Sequence, residues 1–97
     1  MKQYFFMKLN PPRPTFSQDM TPAERAIMQR HVVYWTGQMA EGRIYVFGPV
    51  LDPRGTYGVG VIGVESEAER DVLVANDPAN GLNQYEFYPM MAVVPTK

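Results

Sequence analysis

The chain has no cysteine. That removes disulfides, thiolate metal sites and a cysteine nucleophile together, and it fits a reducing cytoplasm. There is one histidine, His31, so a zinc site would need at least two carboxylates beside it, and no such cluster stands near; no metal is expected. No segment approaches the roughly 20 apolar residues that span a bilayer. Nine basic residues nearly balance ten acidic ones, for a net charge of −1. Without a basic run, neither nucleic acid nor a membrane is an expected partner. No Walker loop and no G-x-S-x-G elbow is present, and no internal repeat or low-complexity tract. The opening "MKQYFFMKL" begins like an export signal. Lys8 and the prolines at 11 and 12 then interrupt it where an apolar stretch should continue, so it reads as a strand. A soluble cytoplasmic protein is the expectation.

What is present is an ordinary globular composition. Hydrophobic residues make up 45% of the 97 and charged residues 20%, enough for one domain over 1–97 and too little for two. "KQYFFMKL", Lys2 to Leu9, has the aromatic density of a strand. "NPPRPTFSQDM" follows as a proline-rich loop. "TPAE" then gives a cap at Thr21, proline at the first helical position and Glu24 closing a capping box. That helix runs to about Glu41 and stops at Gly42. "RIYVFGPV" and "YGVGVIGV" are strands joined by the turn "LDPRGT". "SEAE", Ser66 to Glu69, is another capping box, opening a shorter helix through about Asn76, with Ala68, Val72 and Ala75 expected inward. "NDPANGLN" breaks it, and "QYEFYPMMAVV" is a last strand. The order β-α-β-β-α-β is α+β and ferredoxin-like, two helices on one face of a four-stranded antiparallel sheet.

Period-2 alternation should leave one face of such a sheet polar. It does not. Phe5, Met7 and Leu9 point one way while Tyr4 and Phe6 point the other; Tyr85 and Phe87 share one face, Tyr88 and Met90 the other. Two helices cover one face only, so the second is expected to meet another copy of the chain.

Gly58 to Gly63, "GVGVIG", matches G-x-G-x-x-G literally. A dinucleotide fingerprint lies at a strand-to-helix turn, whereas these glycines lie inside a strand, so no cofactor is expected there. Gly58 and Gly60 share one face, which suggests close approach of another element, or room for a ligand. On a helix of 3.6 residues per turn, His31 falls on one stripe with Ile27, Met28, Tyr34 and Trp35, opposite Arg25, Gln29 and Thr36. Unpaired and buried, it would be a neutral core histidine; a carboxylate beside it would restore basicity. Glu24 is two turns earlier but committed to its cap. Asp77, ending the second helix before Pro78, could meet His31 where the two helices pack side by side.

"TPAERAIMQRHVVYW", "EGRIYVFGPV" and "NDP", in this order and spacing, resemble the YciI-like (YCII-related) domains over nearly the whole chain. Many relatives carry an aromatic directly after Asp-Pro; here Ala79 and Asn80 follow. The resemblance implies a dimeric ferredoxin-like α+β barrel with a His–Asp active pair, mapping onto His31 and Asp77. On that basis the expected function is a small cofactor-independent enzyme of lyase or isomerase type acting on a small metabolite. His31 would be general acid or base and Asp77 its orienting partner, with Tyr34, Gly48 and Pro49 around the substrate. The alternative is a non-catalytic ligand-binding or interaction module in which the pair is structural. An enzyme needs a cleft opening onto His31; a structural pair would be walled in.

Overall fold

The computed structural model describes residues 1–95. Its elements run β1 (Gln3–Asn10), α1 (Phe16–Asp19), α2 (Pro22–Ala40), β2 (Ile44–Val50), β3 (Tyr57–Val64), α3 (Glu67–Ala75) and β4 (Gln84–Met90). The four strands form one antiparallel sheet in the order β2-β3-β1-β4, a ferredoxin-like α+β arrangement. The two prolines inside strands, Pro49 in β2 and Pro89 in β4, both lie on edge strands, where a missing N–H breaks no ladder. Among the described residues no helix is long and apolar enough to cross a membrane.

The register makes the two faces distinct. Phe5, Met7 and Leu9 pair with Ile62, Gly60 and Gly58, so all six share the face under the helices. There they join Trp35 of α2, Leu73 of α3, Ile44 and Val64 in one buried core. Gly60 is needed for this packing: a Cβ there would stand 3.0 Å from Met7 Cε and 3.1 Å from Ile44 Cδ1. The literal G-x-G-x-x-G run thus lies wholly within β3, and its glycines admit neighbouring side chains. The opposite face carries Tyr4, Phe6, Val46, Val61, Tyr88 and Met90, with Val46 55% and Tyr88 50% exposed.

Helix α2 starts as its sequence requires. Thr21 Oγ1 accepts from the Glu24 amide at 3.1 Å and Glu24 Oε1 accepts from the Thr21 amide at 2.9 Å. It ends with Gly42 at φ 77°, the left-handed position glycine favours. α3 departs from expectation twice. Ser66 caps the Glu69 amide, but the Glu69 carboxylate accepts from Glu65, one residue before the cap, so only half of a capping box forms. Its inward face is also different: Ala68, Val72 and Ala75 are exposed and Leu73 is buried. The phase is set by the larger groups on the other side, where the Arg70 guanidinium lies over the rings of Phe5 and Phe87. A third difference is α1, one helical turn inside the proline-rich connection, with Phe16 buried beneath it. The last strand is also shorter than its apolar run, ending at Met90, with Met91 fully exposed.

Candidate active site

His31 lies midway along α2, on the stripe that faces the sheet, and is 8% exposed. Its partner comes from 46 residues away. Asp77 follows the C-cap of α3, where Pro78 stops the helix and the Asp77 carboxylate accepts from the Ala79 amide at 2.9 Å, an Asx-type turn. That turn aims the carboxylate back at α2, and His31 Nδ1 stands 2.9 Å from both of its oxygens.

The carboxylate has two further donors. Trp35 Nε1–H donates to Oδ2 at 2.7 Å and the Tyr85 hydroxyl donates to the same oxygen at 2.5 Å. The Asp77 side chain is fully shielded from solvent. Burial pushes its carboxyl up, and the hydrogen bonds from His31, Tyr85, Ala79 and Trp35 together outweigh that, leaving it below the ordinary range. Burial raises the Tyr85 hydroxyl, and its hydrogen bond to the Asp77 anion raises it further. An ionised carboxylate only accepts hydrogen bonds. His31 Nδ1 therefore carries the proton, and a neutral imidazole presents its lone pair at Nε2. Among the described residues Nε2 has no hydrogen-bond partner, yet no fully buried side-chain polar atom goes unpaired.

Beside the imidazole is a cavity of about 470 Å³. The sheet supplies its floor with Met7, Leu9 and Gly58; α2 supplies Met28, His31 and Val32; and β2 supplies Phe47, Gly48 and Pro49. The connection after β1 closes the outer side with Pro11, Phe16 and Met20. Asn83 stands at the remaining corner. The cleft opens onto His31, and Gly48 and Pro49 lie on it. Tyr34 does not: its hydroxyl donates to the Leu73 carbonyl at 2.6 Å and its ring stands edge-on to Trp35, tying α2 to α3. Burial, then the Asp77 charge, raises that hydroxyl. Among the described residues no cluster of three His, Cys, Asp or Glu side chains could hold a metal.

Glu24 serves the site from outside. Besides its cap it takes a forked pair from Arg13, Nη1 to Oε2 at 2.9 Å and Nη2 to Oε1 at 2.8 Å. The guanidinium, aided by the Thr21 amide, holds the Glu24 carboxyl down at about 2. Arg13 also reaches the Asp19 carboxylate at 2.7 Å, and so clasps the whole connection onto the start of α2.

Sequence reasoning did not foresee Trp35 and Tyr85 as donors to Asp77. Trp35 was findable, since it lies four residues after His31 on the same stripe. Tyr85 had a weaker signal in its parity with Phe87, which turns it toward the helices.

The YCII-related domain model matches residues 4–93, and the chain belongs to that family. Among solved structures it is similar to 5-chloro-2-hydroxyhydroquinone dehydrochlorinase (TftG) from Burkholderia phenoliruptrix AC1100, in complex with 2,5-dihydroxybenzoquinone. The two share 24% identity with a TM-score of 0.58, over 84% of this chain and 90% of that one. That likeness is one of fold. No curated protein matches the sequence.

Proposed function

We propose that this YCII-related protein is a small cofactor-independent enzyme of lyase or isomerase type, with His31 as acid and base and Asp77 as the group that orients it. The observation that carries the reading is the position of one imidazole between two unlike environments. Nδ1 is held by a buried carboxylate, and the ring itself lines an apolar cavity. In the neutral ring Nε2 can take a proton from a carbon beside a carbonyl, or from a ring hydroxyl. Asp77 stabilises the imidazolium that results. The electron pair left on the substrate either collects the proton at another position, an isomerisation, or expels a leaving group. Gly48 and Pro49 serve as substrate wall, while Tyr34 acts at one remove by holding α3 against α2. The ring ligand of the TftG structure supports a small cyclic, oxygen-bearing substrate here.

The second chain copy belongs to the same proposal. Tyr4, Phe6, Val46, Val61, Tyr88 and Met90 make the uncovered sheet face apolar, and a homodimer through that face would bury them. Light scattering at micromolar concentration should give twice the 11.0 kDa chain mass.

The other reading, a ligand-binding module with a structural pair, draws on the completeness of the Asp77 cluster, which needs no substrate to be satisfied. A panel of hydroxylated and halogenated quinones and hydroquinones, followed by absorbance and product mass, separates the two. The native protein should turn over at least one, and His31→Gln should lose about 10²–10⁴-fold in rate. Turnover unchanged in His31→Gln would remove the acid–base assignment. Binding without turnover would favour the module.

A further inference from the structure

We infer that Asn83 is a substrate-orienting residue, a buried polar anchor of the cavity besides His31, and that it takes a hydroxyl or carbonyl oxygen on a flat apolar ring. The inference rests on the acid–base reading for its chemistry but on separate observations for its site. Asn83 is 5% exposed and lines the cavity that His31 lines. Its backbone is fixed, since the amide donates to the Ala79 carbonyl at 3.0 Å in the corner that Asp77 organises. Its side chain is left with almost nothing. A carboxamide offers two N–H donors and two acceptor lone pairs. Among the described residues the one side-chain hydrogen bond of Asn83 runs from Nδ2 to the Met28 thioether sulfur at 3.6 Å, and Oδ1 accepts from none. A thioether is a weak acceptor, so if the amide were turned end for end the same deficit would remain. Asp77, by contrast, has four donors around it.

A buried amide kept short of partners costs free energy unless something completes it. Among the described residues no fully buried side-chain polar atom lacks a partner, so the unpaired carboxamide oxygen of Asn83 keeps some accessible surface, and the residue lines the cavity. The ring of His31, its Nε2 without a partner among the described residues, lines the same cavity, as do the hydroxyl-bearing Ser17, Thr56 and Tyr57. The contact with Met28 brings the amide to α2 one turn before His31, a rise of about 4.5 Å along the helix. Between the anchors the wall is thioether, aliphatic and aromatic: Met7, Leu9, Phe16, Met20 and Phe47. Such a wall suits an apolar plane, and methionine sulfur packs well against ring edges. Among the described residues no Lys or Arg lines the cavity, so a phosphorylated substrate would leave its charge unpaired. The ligand class that satisfies both anchors is a small unphosphorylated ring with oxygens at its edge. A neutral carboxamide N–H can also hold the charge that grows on such an oxygen when His31 removes a proton.

The test is binding to the full chain, read by NMR on the Asn83 side-chain NH2 and the methionine methyls, with hydroquinone and p-xylene as probes of one shape with and without oxygens. Saturating hydroquinone should move the Asn83 NH2 resonances, which needs no variant. Asn83→Leu should weaken hydroquinone by about tenfold while p-xylene, the check that the cavity is intact, binds as before. The proposal is overturned if neither ring binds at millimolar concentration, if the Asn83 NH2 stays still, or if Asn83→Leu changes both probes equally. His31→Gln keeps the two hypotheses apart. Hydroquinone binding with an intact Asn83 response in that variant upholds this assignment whatever becomes of turnover.

Discussion

Two carboxylates in this molecule are held below their ordinary range by opposite means. Asp77 is sealed from water and surrounded by donors that are neutral dipoles or an imidazole. Glu24 stands at the rim, its side chain 18% exposed, and owes its ionisation first to the hydrogen bonds donated by the charged Arg13 guanidinium. In the interior, oriented dipoles replace hydration, and each one removed leaves a costly gap. At the rim, a counter-ion does the work in contact with water, where salt screens it and losing it costs little. The first fixes the imidazole that faces the cavity. The second fixes only the cavity's outer wall.

The largest effect should come from emptying the interior cluster. Asp77→Ala strands His31, Trp35 Nε1, the Tyr85 hydroxyl and the Ala79 amide, and should destabilise the fold by about 3–5 kcal/mol in chemical denaturation. A loss under about 1 kcal/mol would place Asp77 in the same class as Glu24 and end the contrast. Tyr85→Phe removes one of the donors and should cost about 1.5–3 kcal/mol. In the neutral form of His31 the 15N spectrum should show Nδ1 protonated and Nε2 bare. The reverse tautomer would break the link between the cluster and the site.

Acid sharpens the same comparison. Both folded carboxyls lie below their unfolded values of 3.8 for Asp77 and 4.5 for Glu24. A depressed carboxyl contributes stability that is complete above the unfolded value and is lost as pH falls through the folded one. Glu24 should therefore give up its share between 4.5 and about 2, and Asp77 its share below 3.8. In about 1 M salt, where the screening length is about 3 Å, the Glu24 share should shrink and the Asp77 share persist. Denaturation midpoints at pH 6 and pH 3, with and without salt, in native protein and Asp77→Asn, read both. Equal salt sensitivity of the two would mean that water reaches Asp77.

The two regions differ as much in how far they can be read from sequence. A helix start is local chemistry, and "TPAE" contains all of it, so α2 and its stripe with His31 follow. The fold class and the expected His31–Asp77 meeting came from the β-α-β-β-α-β pattern and the family resemblance, because topology joins residues 46 apart that no local signal connects. α3 shows the limit. Nine residues offer too few turns for periodicity to choose a face, and small apolar residues carried the choice, whereas Leu73 and the stem of Arg70 decide it. The clasp of Arg13 was hidden for another reason. Prolines at 11, 12 and 14 exclude a long helix, and the single turn of α1 exists because tertiary contacts hold it.

That dependence sets the smallest expected effect. In the connection, the Phe16 amide donates to the Arg13 carbonyl, and the amides of Gln18 and Asp19 donate to Thr15. Arg13 pins this turn through Glu24 and Asp19 and lies over the Phe16 ring, 5.3 Å from its centroid. Arg13→Ala should leave global stability nearly unchanged, since an exposed ion pair contributes little to it. Locally the turn loses its fastening, and a single helical turn is unstable without one. Hydrogen exchange at Phe16, Gln18 and Asp19 should accelerate, while the amides of β1 and β3 keep their protection. Because Phe16 and Met20 stand on the cavity, the same variant should weaken ring binding without touching His31 or Asp77. Unchanged exchange at these three amides would show that Phe16 burial alone holds the connection, and that the rim carboxylate has no part in shaping the site.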